Sequence, residues 1–162
     1  RQMCIRDRYS IPEVPAIANA DANRLKQVFM NILDNALKYS RSPSKIFVKA
    51  EFTKLDNQNF VKIAIADQGC GISKEDLPHV KEKFYKANVS VRGSGIGLAV
   101  TNEIVNLHHG KLEIDSQEGK GTLVTIYLPV ENSPTKNELN DMKQNETVQD
   151  AEINEGVEIN KN

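Results

Sequence analysis

Residues 27–40 read QVFMNILDNALKYS, and the interpretation of that stretch decides the fold. Leu25, Val28, Phe29, Ile32, Leu33, Ala36 and Leu37 recur at three- and four-residue steps, the period of a helix with one buried face. Gln27, Asn31, Asn35 and Lys38 fall at steps of four, four and three, so they form one row along the border of that face. A carboxamide oxygen ligates a hard divalent cation, and an ammonium one turn further on meets a phosphate oxygen. Taken alone the row reads more simply as a solvated polar edge. The segments on either side decide between the two.

Working outward, Asp21 offers an N-cap carboxylate that opens this helix, and Ser40-Arg41-Ser42-Pro43 closes it after Tyr39. Upstream, IPEVPAIAN is interrupted by Pro12 and Pro15 and is at most an edge strand. RQMCIRDRYS shows neither alternation nor a helical face; residues 1–15 read as a truncated or foreign N-terminal segment. Downstream, residues 45–52 alternate with Ile46, Val48, Ala50 and Phe52 on one face, and residues 60–66 with Val61, Ile63 and Ile65. The polar segment TKLDNQN between them makes an antiparallel pair. Ser73 and Asp76 form a capping box for a short helix ending near Phe84, followed by a loop over 85–92 that reads as mobile. A buried helix from Leu98 to Gly110 follows, with Val100, Ile104, Val105 and Leu107 inside. Strands over 111–116 and 122–128 close the chain, joined by a glycine hairpin and ended by Pro129.

Two glycine segments sit where chemistry is most easily placed. Asp67-Gln68-Gly69-Cys70-Gly71-Ile72 follows the second strand directly, so a carboxylate stands at a strand end with a backbone that a flat ligand can approach. Gly93-Ser94-Gly95-Ile96-Gly97-Leu98 opens a helix, whose first amides and positive dipole end suit phosphate. Each segment by itself is also what an ordinary turn looks like. His108 and His109 end a helix, where they complement the dipole.

With 162 residues the chain forms one domain with a sizeable core. It holds no apolar run of membrane-spanning length, and Cys4 and Cys70 are its only cysteines, which excludes a disulfide framework and structural zinc and fits a reducing, cytoplasmic setting. The net charge of −1 conceals an acidic stretch over 131–162 that carries −5, leaving +4 on the body. A mildly basic body suits an anionic ligand but is too weakly charged for nucleic acid. The acidic stretch contains no aromatic residue and reads as a disordered tail.

Asn31-Ile-Leu-Asp-Asn35-Ala-Leu-Lys38-Tyr39, Asp67-Gln-Gly69-Cys-Gly71-Ile72, Lys83-Phe84-Tyr85-Lys86, Gly93-Ser-Gly95-Ile-Gly97-Leu98 and Gly119-Lys-Gly121-Thr122 occur in this order over residues 16–130. In order and spacing they resemble the ATP-binding catalytic domain of bacterial sensor histidine kinases, within the wider group of gyrase, Hsp90 and MutL. The resemblance implies an α/β (α+β) two-layer sandwich, a mixed, largely antiparallel sheet covered on one face by helices. It further implies that Asn35 ligates Mg²⁺, that Asn31 makes a neighbouring metal or phosphate contact, and that Lys38 contacts phosphate. Asp67 accepts the adenine amino group, with Gly71 close to the base. Tyr39 lines the adenine pocket and Thr122 places a hydroxyl near its water network, while Gly95 and Gly97, with the helix starting at Leu98, hold the phosphates; Gly69, Ile72, Phe84, Gly93 and Ile96 also belong to the nucleotide-binding set. Lys86 and Arg92 lie on a lid shorter than in many relatives, and Cys70 receives no role.

In the ATP-hydrolysing members a Glu stands where this chain has Asn31. A carboxamide takes no proton, so the resemblance implies a site that keeps Mg-ATP intact for a separate nucleophile. That nucleophile is a histidine on a dimerisation hairpin, which His79, His108 and His109 do not supply. The resemblance also implies a response regulator as the downstream partner, no membrane contact by this segment and a monomeric piece of a longer kinase. The rival readings are an inactive nucleotide-binding module of the same fold and an anti-sigma-type serine kinase. A dinucleotide-binding domain is disfavoured because Leu98 stands where its third glycine belongs, and a P-loop because GK[ST] is absent.

Overall fold

The computed structural model describes residues 8–40, 44–87 and 94–132. Its elements are β1 (Arg8–Ser10), α1 (Ala22–Tyr39), β2 (Ile46–Leu55), β3 (Gln58–Asp67), a 3-10 turn (Leu77–His79), α2 (Gly97–Leu107), β4 (Lys111–Gln117) and β5 (Gly121–Pro129). The five strands form one sheet in the order β1-β2-β3-β5-β4, parallel between β1 and β2 and antiparallel elsewhere. The mixed, largely antiparallel sheet implied by the resemblance is therefore present.

Alternation fixes which face is buried. Val61, Ile63 and Ile65 on β3, Val124, Ile126 and Leu128 on β5, and Leu112 and Ile114 on β4 point to one side. There they meet Val28, Ile32 and Ala36 of α1 and Ile104 and Val105 of α2. Burying each of the larger side chains stabilises the fold by about 1.5–3 kcal/mol. The opposite face carries polar groups at its centre, where Glu51 sits between Lys49 at 3.3 Å and Lys62 at 3.2 Å. Since side chains alternate, Asp67, two residues after Ile65, falls on the helix-covered face at the very end of β3.

Helix α1 begins as its sequence indicates. The Asp21 carboxylate accepts from the amides of Asn23 and Arg24 at 2.9 and 3.0 Å, and these backbone bonds, Arg24's foremost, hold its carboxyl below the ordinary range. His108 closes α2. Its Nδ1 lies 2.8 Å from the Ile104 carbonyl, which only accepts, so Nδ1 carries the proton. Nε2 then accepts the Asp21 amide at 3.0 Å. One imidazole thereby joins the end of α2 to the start of α1.

Four expectations are corrected. The N-terminal edge strand is Arg8–Ser10, not the proline-interrupted IPEVPAIAN stretch; part of the segment set aside as foreign belongs to the sheet. The helix expected from Ser73 to Phe84 is a single 3-10 turn, because Pro78 supplies no amide. Ser73 and Asp76 nonetheless bond reciprocally, Oγ to Oδ2 at 2.8 Å and amide to Oγ at 3.1 Å. Leu107, assigned to the core, is 73% exposed in the last turn of α2. The polar segment between β2 and β3 shrinks to Asp56-Asn57, both at positive φ, as a two-residue hairpin of the I′ type requires. Residues 1–7, the 88–93 part of the loop with Arg92 and Gly93, and the acidic tail from 133 onward lie outside the described residues.

Candidate functional site

A cavity of about 480 Å³ opens between α1, the end of β3, the start of α2 and the 70–76 segment. That is the size of a small-ligand site. From α1 it is lined by Asn31, Asn35, Lys38 and Tyr39, so the polar row along the helix border faces it except for Gln27. From the two glycine segments it is lined by Asp67, Gly71, Ile72, Gly95, Gly97 and Leu98, with Thr122 on the far wall.

Asp67 is fastened at the base. Its Oδ1 accepts the Gly69 amide at 2.8 Å and the Thr122 amide at 3.3 Å. Both bonds use the same oxygen, which leaves Oδ2 for a ligand. Burial pushes the carboxyl above the ordinary range, and the two amide bonds only partly oppose this. An ionised carboxylate in such a place is costly unless something with a hydrogen to donate arrives.

The walls are stitched together by backbone. Cys70 donates its amide to Tyr39 at 3.1 Å, tying the end of α1 to the first glycine segment. Gly119 donates to Cys70 at 2.7 Å, tying that segment to the β4–β5 turn. Ser116 joins the last two: its hydroxyl accepts from the Ile72 amide at 2.9 Å and donates to the Gly121 carbonyl at 2.8 Å. Its proton thus committed, the 2.9 Å contact with Thr122 Oγ1 must be donated by Thr122. Ser116 follows Leu112 and Ile114 on the inner face of β4. A hydroxyl at the next place in an apolar alternation was the signal that could have marked it.

The start of α2 differs from that of α1. Its N-cap residue is Ile96, which has no oxygen to offer, so side-chain capping from that position is absent and the first amides are available beside the cavity. Across from it, Tyr85 donates its hydroxyl to Asp76, and both line the cavity. That bond, with the Ser73 hydroxyl behind it, draws the Asp76 carboxyl below the ordinary range. The Phe84 amide donates to the Gly95 carbonyl at 2.9 Å, which ties Phe84 to a glycine that lines the cavity.

Residues 20–132, most of the chain, match the pattern that defines the histidine kinase-, DNA gyrase B-, and HSP90-like ATPases. The chain belongs to that family. It is 39% identical over 120 residues to Sporulation kinase E of Bacillus subtilis, an overlap of 74% of this chain and 15% of that protein. It is 36% identical over 129 residues to the Non-motile and phage-resistance protein of Caulobacter vibrioides, covering 77% and 15%. The Mycobacterial sensor histidine kinase MprB superposes at a TM-score of 0.65 with 29% identity, over 78% of this chain and 84% of that one. The chain spans about 15% of the length of those two curated relatives.

Within this histidine kinase-like domain most of the residues expected at the site converge on one cavity. Three do not line it. Phe84, at a left-handed φ of 69°, is 73% exposed and is not among the lining residues. Gly69 packs against the Tyr39 carbonyl instead of facing the opening, and Ile96 acts only as the N-cap of α2. Side chains not expected there also line it, among them three carboxylates, Asp34, Asp76 and Glu118. Lys38 pairs with Asp34 at 2.5 Å across one helical turn, both largely exposed.

Proposed function

We propose that this domain binds Mg-ATP and delivers the γ-phosphoryl group to a histidine on a separate hairpin, as the catalytic portion of a two-component sensor kinase. The observation that carries the reading is the buried Asp67, anchored through one oxygen and facing a cavity bordered by Asn31, Asn35, Lys38 and the uncapped start of α2. A raised, desolvated carboxylate suits the amino group of a planar base. At the other end, an ammonium and helix-terminal amides suit phosphate.

The residues also fit the metal. Two carboxamides one turn apart form a sparse donor set, the kind Mg²⁺ uses when phosphate oxygens and waters complete its shell. Asn35 and Asn31 are the residues that would hold it. Bound there, the ion would neutralise charge on the phosphates. The chain itself orients the nucleotide through Asp67, draws the phosphates toward α2 and presents no base at position 31 to activate water. We place the domain over residues 16–130, in the cytoplasm and as a monomer, within a longer kinase that provides the hairpin and addresses a response regulator. Light scattering that is independent of concentration and gives a dimer mass would contradict the monomer.

Calorimetric titration of the chain with ATP, with and without Mg²⁺, tests the binding. Mg²⁺ is expected to strengthen binding by the wild type, and Asn35→Ala to remove about 10-fold or more of that gain. Binding without any Mg²⁺ effect would remove the metal from the reading. Asp34→Asn frees Lys38 from its ion pair, so ATP binding is expected to tighten by ~2–5-fold at low salt and by less as salt rises. An affinity unchanged at low salt would show that Lys38 does not reach phosphate. Addition of a histidine hairpin should yield acid-labile phosphate on it; binding without transfer would favour the inactive module.

A further inference from the structure

Asn31 is held by a group that the binding reading does not include. Its Nδ2 lies 3.3 Å from the Gly97 carbonyl and 3.4 Å from Thr101 Oγ1, both on α2. A carbonyl only accepts, so the atom facing it is the NH₂, which settles the orientation of the amide. The carboxamide oxygen is therefore the atom left over on the cavity side. Thr101 lies fully inside, with 0% exposure, on the face of α2 that also carries Ile104 and Val105. A hydroxyl among those side chains costs free energy unless paired, and Asn31 is the partner the structure provides.

We propose that Thr101 is a positioning residue for Asn31. Together with the Gly97 carbonyl it engages the amide nitrogen and presents only the oxygen to a cation or its bound water. The pair also sets the chemistry of position 31. A carboxylate there would turn one of its oxygens onto the Gly97 carbonyl, acceptor against acceptor, so α2 selects an amide over an acid. The absence of a general base would then be enforced from the neighbouring helix, not merely by the residue at position 31. This inference rests on the Mg-ATP reading above.

Titrations with ATP, with and without Mg²⁺, on the wild type, Thr101→Val, Thr101→Ser and Asn31→Asp test it. Thr101→Val is expected to lose ~3–10-fold of the Mg²⁺-dependent gain while its Mg²⁺-free affinity stays that of the wild type; Thr101→Ser restores the gain. Asn31→Asp gives the sharper contrast and does not depend on a buried substitution folding. If Asn31 were merely a ligand, the added charge would enlarge the Mg²⁺ gain. With α2 selecting the amide, the gain falls. A larger gain in Asn31→Asp, or an undiminished one in a folded Thr101→Val, overturns the proposal. A wild type that binds ATP without any Mg²⁺ gain overturns the metal reading and this proposal together; a wild-type gain that Thr101→Val leaves intact overturns this proposal alone.

Discussion

Asp67→Asn is expected to raise the melting temperature of the unliganded chain while weakening ATP binding by roughly 5–150-fold, the equivalent of about 1–3 kcal/mol. Both effects have one origin. The amide can keep the two bonds that Gly69 and Thr122 now make to Oδ1, because an amide oxygen accepts them equally well. What changes is the other atom, which becomes an NH₂ facing a base that needs an acceptor. Two donors then oppose one another in a place with little water. The gain in stability follows from burial, which raises the Asp67 carboxyl above its ordinary range, so folding favours its neutral form. For a group raised in this way the stabilising contribution is complete below the unfolded pKa and is lost as pH rises through the folded one. The wild type at neutral pH therefore carries an ionised carboxylate at a cost, and the amide removes that cost. Thermal melts of the two chains should differ most near neutrality and converge as pH falls through the raised pKa. A variant that melts lower than the wild type at neutral pH, or that binds ATP as tightly, would contradict the account.

Gly121→Ala is expected to be strongly destabilising, at about 3 kcal/mol or more and ~10 °C or more in melting temperature. Its φ of 135° lies where a side chain is strained, and an added Cβ would stand 2.1 Å from the Asp67 carbonyl oxygen. Backbone cannot retreat there, because the same residue's carbonyl accepts from Ser116 and the next residue's amide donates to Asp67. Gly119→Ala provides the control. That glycine also has positive φ, but nothing lies within 4 Å of its added carbon, so only the backbone term remains. Equal losses in the two variants would mean that the close approach to Asp67 contributes nothing.

These two cases mark what the amino-acid sequence does and does not make legible. Asp67 could be placed before any coordinates because strict alternation in β3 carries a carboxylate onto the helix-covered face at a strand end. The row of Asn31, Asn35 and Lys38 was equally legible, since helical periodicity decides which side chains share an edge. Contacts between distant segments were not. Strand β1 has only three residues and is defined by its parallel pairing with β2, which leaves no local pattern. Thr101 meets Asn31 seventy residues away in sequence. A polar residue in the apolar stripe of α2 could have raised the question, but not named its partner. The backbone at Phe84 was illegible for a different reason: its left-handed angle at a non-glycine residue goes with the bond to Gly95 and is not signalled by the residue itself.

The hairpin tip at Asp56-Asn57 stands nine residue steps from Gln58 to Asp67, roughly 30 Å along the strand. Nothing that binds in the pocket comes near it. Yet it acts as a parity check on the pocket, since side chains along β3 face alternately in and out and the tip fixes where that count begins. One residue added there must be thrown out as a bulge, or it would carry Asp67 to the wrong side of the sheet. Two added residues leave the sense unchanged. The ladder to β5, which pairs Ala66 with Leu123, repeats the same count from the other side. A ligand-facing carboxylate is thus guarded by two independent tallies, and an odd-numbered insertion at the tip is absorbed there as a bulge without turning Asp67 away from the pocket.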